Sequence, residues 1–60
     1  MKSKELHRLV LKNGWRKLRQ DGTSHIIYIK EGRTYPVPYH RAKEVYKSLE
    51  LKIKREMGLK

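Results

Sequence analysis

A chain of 60 residues without a single cysteine has to hold its fold by packing alone. Disulfides and thiolate zinc sites, the usual supports of very small domains, are both closed to it. A chain this short buries only about 60% of the surface that its unfolded form exposes. The core is therefore small, residues 1–60 make a single domain, and a deep substrate pocket is not expected. Lack of cysteine also agrees with a reducing, intracellular setting. The opening MKSKELHRLVLKNG is broken by polar or charged residues every two or three positions, unlike the continuous apolar stretch of a signal peptide or a membrane span. A soluble, cytoplasmic protein is expected.

Charge restricts the partner. Sixteen Lys and Arg stand against six Asp and Glu, a formal net charge of +10. An excess of this size favours polyphosphates, which release condensed counterions to the cations that replace them. RNA or DNA is the leading partner class, but charge does not say whether the nucleic acid is held or cut.

Local patterns predict five elements. Ser3 is placed to cap a helix in which Leu6, Leu9 and Val10 recur at i, i+3 and i+4, and Gly14 to end it in the left-handed region. His7 falls on the flank of this helix, where a solvated side chain is expected. Residues 15–19 (WRKLR) alternate as a short strand, and residues 20–23 (QDGT) carry turn chemistry. Residues 25–30 (HIIYIK), rich in β-branched and aromatic side chains, form the strongest strand. Glu31-Gly32 is a tight reversal into residues 33–38 (RTYPVP), whose prolines cannot donate to a ladder and so mark an edge strand. After a loop at residues 39–42, a second helix runs to Met57 with Val45, Leu49, Ile53 and Met57 in one row and Gly58 as its stop. The fold class is α+β: a small two-layer sandwich of order α-β-β-β-α, with two helices on one face of an antiparallel three-stranded sheet.

That plan leaves the other face open. If Ile26 and Tyr28 meet the helices with Tyr35 and Val37, strand alternation puts His25, Ile27 and Ile29 on the open side. His25 is then reachable from water, and Ile27 and Ile29 make a small exposed apolar patch suited to a protein partner.

Cleaving RNA without a metal requires a base for the ribose 2′-hydroxyl, cations for the phosphorane and an acid for the leaving 5′-oxygen. Histidine suits the first or last task, since its ordinary pKa is about 6.5. His25 is the candidate, with Ser24 to orient the imidazole or the substrate and Lys17, Arg19 and Lys30 to hold phosphate or steady the transition state. His40, in the loop after the third strand, is a candidate acid. Lys43, Lys47 and Lys54 align along the second helix, as either a solvated or an RNA-tracking face. Other chemistries lack parts: His7, His25 and His40 have no metal-ligand spacing, DGTSH has no phosphate-loop lysine, and Ser24 and His25 point to opposite faces of a strand. No metal or cofactor is called for.

The segments MKSKELHRLVLKNGW, GTSH at the start of strand two, VPYHRAKE and the terminal MGL occur in order across nearly the whole chain. Together they resemble the HicA family of toxins from bacterial toxin–antitoxin pairs. The resemblance implies a fold similar to the double-stranded RNA-binding domain, and metal-independent endoribonuclease action on mRNA that arrests translation and growth. It also implies neutralisation by a HicB antitoxin, with the toxin alone a monomer and the pair a hetero-oligomer. The family's catalytic histidine follows a glycine and a small hydroxyl residue at the head of strand two, so Gly22, Thr23 and Ser24 carry that role to His25. The chain departs from the family in having Ile27 and Ile29 where polar residues are common, which implies a stickier face for the antitoxin. Its second helix lacks the glycine-threonine-leucine opening. Two other readings stand beside the enzyme: a non-catalytic basic RNA-binding module acting by occupancy, and a DNA-binding repressor, for which no recognition helix is legible.

Overall fold

The structure, a computed structural model, describes residues 1–22, 24–39 and 43–60. Its elements are α1 (Ser3–Lys12), β1 (Arg16–Asp21), β2 (His25–Lys30), β3 (Arg33–Pro38) and α2 (Lys47–Met57). The strands form one antiparallel sheet in the order β1-β2-β3, so β2 is central and the prolines of β3 lie at an edge. Both residues of the β2–β3 turn have positive φ, Glu31 at 53° and Gly32 at 77°. That left-handed pair matches the right-handed twist of the flanking strands.

Both helices cover one sheet face. Leu6 and Val10 of α1, Ile53 and Met57 of α2, Tyr28 of β2 and Val37 of β3 share the core with Trp15 and Val45, and Ile26 and Tyr35 pack against it. Leu6, Val10 and Val37 are fully buried and Ile53 nearly so. Each such side chain contributes about 1.5–3 kcal/mol of transfer free energy, so a few residues dominate the stability. No helix among the described residues is long and apolar enough to cross a membrane.

Several local expectations are corrected by packing. The helix cap is Lys2, whose N–H donates to the Glu5 carboxylate at 3.1 Å, while Ser3 is the first helical residue and is buried. Trp15 does not begin β1: it turns inward and its indole N–H donates to the Met57 carbonyl at 3.2 Å, tying α1's exit to the end of α2. The strand instead runs on through Gln20 and Asp21. Val45 is buried but precedes α2, as does Lys43, whose carbonyl accepts the Ser3 N–H at 2.9 Å. At its far end α2 closes as expected, with Gly58 left-handed and the Leu59 N–H donating to the Lys54 carbonyl.

Candidate active site

His25 heads the central strand and is exposed. The pairing puts Asp21 opposite it on β1 and Pro38 opposite it on β3. Because Ile26 and Tyr28 point into the core, His25, Ile27 and Ile29 lie on the face without helices, as strand alternation requires. Ser24 Oγ stands 3.5 Å from His25 Nδ1, a contact at the long limit of hydrogen bonding. The loop entering β2 is closed by the Tyr39 N–H, which donates to the Ser24 carbonyl at 2.7 Å.

The expected cation cluster is rearranged. Register shifts between Lys17 and Arg19, so that Lys17 pairs with Tyr28 and Arg19 with Ile27. Directly paired residues share a face, which puts Arg19 on the His25 side and Lys17 on the helix side. The same shift brings Arg16, the partner of Ile29, to the open face. Sequence reasoning missed Arg16 because an unbroken strand would place it opposite Arg19. Lys30 lies on the helix side at the other end of β2, and its Nζ donates to the Asn13 carbonyl at 2.8 Å. Of Lys17, Arg19 and Lys30, only Arg19 therefore shares a face with His25.

Ile27 also departs from expectation. It retains only 8% exposure, and Ile29 is half-buried, so the two do not form an exposed patch. Ile27 is in the middle of the central strand, flanked on its own face by Arg19 and Pro36. Arginine lays its aliphatic stem over apolar neighbours of this kind. The open face thus carries Ile27 and Ile29 on β2 with Arg19 and Arg16 beside them on β1.

The lysines near α2 do not make one row. Lys43 precedes the helix, Lys54 donates to Glu50 at 2.9 Å, and Lys47 Nζ stands 3.7 Å from the same carboxylate. Glu50 is itself buried and also meets the Met1 amine at 3.2 Å. Hydrogen bonds from Lys54 and from that amine hold its carboxyl down at about 2, against an ordinary 4.5. Two of the three expected RNA-tracking cations are therefore engaged with the chain's own carboxylate. His40 lies outside the described residues.

His7 is the largest correction. Far from being solvated, it is 6% exposed. Its Nε2 is 2.8 Å from the Pro38 carbonyl and its Nδ1 2.7 Å from the Tyr28 hydroxyl. A carbonyl only accepts, so Nε2 carries the proton and the Tyr28 O–H donates to Nδ1. Burial lowers the His7 pKa, the Pro38 carbonyl opposing it. Burial likewise raises that of Tyr28. A signal was available: the buried residues of α1 are Ser3, Leu6, His7 and Val10, spaced i, i+3, i+4 and i+7. Counting polar residues into the stripe reveals it.

Among the described residues, no group of three or more His, Asp or Glu is placed to hold a metal ion. A cleft of about 400 Å³ whose lining mixes Lys30, Arg33 and Arg55 with Glu31 and Glu56 beside Trp15 lies at the other end of the sheet from His25.

These features define a class: a small, strongly basic α+β domain of order α-β-β-β-α that leaves one sheet face uncovered and a histidine exposed at its rim. Within that class the family is direct. The model of the HicA toxin of bacterial toxin–antitoxin systems matches residues 3–59, and the chain belongs to the HicA family, as the toxin member of such a pair. Comparison with curated proteins and with solved structures gives no match.

Proposed function

We propose that this toxin is a metal-independent endoribonuclease that cleaves mRNA, with His25 as general acid or base. The observation that carries the reading is the position of His25: exposed, at the head of the central strand, on a face that also presents Arg16 and Arg19. In the cleavage step the imidazole takes the ribose 2′-hydroxyl proton, and the 2′-oxygen attacks phosphorus. The guanidinium groups stabilise the phosphorane charge. The 5′-oxygen leaves with a proton, giving a 2′,3′-cyclic phosphate and a 5′-hydroxyl. His40 remains the candidate donor of that proton, and Ser24 a residue that orients the ring.

Cleavage of messages arrests translation and growth until a HicB antitoxin covers the same face. An antitoxin with an acidic surface complements the net charge of +10, and Ile29, beside the little of Ile27 left exposed, supplies apolar contact.

RNA incubated in EDTA with the wild type and with His25→Ala tests the enzyme. Cleavage by the wild type alone supports it. Equal retention of intact RNA by both proteins would replace it with a module that acts by occupancy.

A further inference from the structure

We infer that His7 is a positioning residue of the His25 site, holding the end of β3 in place through the Pro38 carbonyl. The inference rests on the proposed role of His25 and adds to it a residue from the opposite layer of the fold.

Ser3 and His7 stand at i and i+4 on the buried stripe of α1, and both reach the same acceptor: Ser3 Oγ is 3.4 Å and His7 Nε2 2.8 Å from the Pro38 carbonyl. Pro38 is the cross-strand partner of His25. The next residue, Tyr39, places its ring edge-on to the His7 ring, with centroids 5.0 Å apart, and gives its N–H to the Ser24 carbonyl. On its other side the imidazole accepts from Tyr28, three residues along β2 from His25. One buried ring thus meets His25's partner across the sheet, the residue that closes its loop, and its own strand.

Position matters because His25 opens its strand, where pairing is about to end. A proline at position 38 has no N–H of its own to give, so a hydrogen bond to its carbonyl is one of the few ways to fix that corner. The tautomer is set as well. With Nε2–H on Pro38 and Nδ1 occupied by Tyr28, the ring is neutral and both nitrogens are used. A group arranged this way orients its neighbours and does not transfer protons to RNA.

Three variants separate positioning from simple structural support. His7→Leu removes both hydrogen bonds, His7→Gln keeps a donor near the Nε2 position, and Tyr28→Phe removes only the hydroxyl. Cleavage at saturating RNA should fall about 10-fold or more in His7→Leu with RNA affinity unchanged, and return close to wild type in His7→Gln. Tyr28→Phe should lose stability and keep its cleavage rate. By NMR, the Tyr39 amide should exchange about 10-fold faster in His7→Leu than in wild type, while the Ile53 amide stays protected. Undiminished cleavage in His7→Leu, or rates in all three variants that simply track stability, would overturn the inference. If His7→Leu does not fold, His7→Asn, which keeps only the Nδ1-like acceptor, takes its place with the same readouts. If the wild type cleaves no RNA, the proposed function falls, and Tyr39 exchange alone decides the role of His7: an unchanged rate refutes it.

Discussion

Lys17 and Arg19, two residues apart on β1, lie on opposite faces of the sheet, because the register against β2 shifts between them. The shift exchanges Lys17 for Arg16 on the His25 side. RNA binding should follow that geometry. Arg16→Ala and Arg19→Ala should each weaken binding of single-stranded RNA and reduce the slope of log affinity against log salt by about 0.7. Lys17→Ala should leave the slope unchanged. Fluorescence anisotropy over a salt series measures this, and a Lys17 effect as large as that of Arg16 would contradict the face assignment.

Asp21 carries the opposite sign on the same face. As the cross-strand partner of His25 it holds a negative charge where phosphate is expected to pass. Asp21→Asn should tighten RNA binding about twofold, the Coulomb term for unit charges ~8 Å apart in water. The gain should vanish at high salt. Weaker binding in the variant would mean that the carboxylate orients a group the RNA needs.

Acid should destabilise the fold in two windows. His7 has a lower pKa folded than unfolded, so the unfolded chain binds more protons. Its contribution is complete above about pH 6.5 and is lost as pH falls through the folded value. Glu50, at about 2 folded against 4.5, behaves the same way lower down, with its contribution lost between those values. Urea midpoints measured from pH 8 to 2 should therefore decline in two stages. His7→Gln should abolish the upper stage and Glu50→Gln the lower. An upper stage that survives His7→Gln would assign it to another group.

Glu31 occupies a left-handed position, φ 53°, that suits asparagine better than a longer side chain. Glu31→Asn should stabilise the hairpin by part of the roughly 1–2 kcal/mol that the left-handed region costs an ordinary residue. Thermal unfolding should register this as a rise of a few degrees, with the cleft at that end of the sheet otherwise intact. A fall in melting temperature would mean that Glu31 makes a contact outweighing its strain.

How far the site was legible varies residue by residue. His25 could be placed on an accessible face only by letting Ile26 and Tyr28 meet the helices with Tyr35 and Val37, because HIIYIK carries apolar residues on both sides and its periodicity does not choose between them. Asp21 and His25 flank the loop between two strands, so their pairing was implicit once the first strand was allowed to run past Gln20. Arg16 was hidden, since one irregular residue in β1 reverses every side chain beyond it. His7 was hidden for a different reason: a polar side chain enters a core only where partners wait, and those partners, Tyr28 and Pro38, are 21 and 31 residues away.

Sequence alone determined the order of elements, the bounds of β2 and β3, the β2–β3 turn, the proline edge and the glycine stop of α2. Each of these depends on backbone preferences and periodicities contained within a few neighbouring residues. Tertiary structure decided the break in β1, the burial of His7, Ser3 and Ile27, and the start of α2 after Val45. Those outcomes depend on which surfaces meet across the sheet and between the layers, and hydrogen bonds and apolar contacts between distant segments outweigh local preference there.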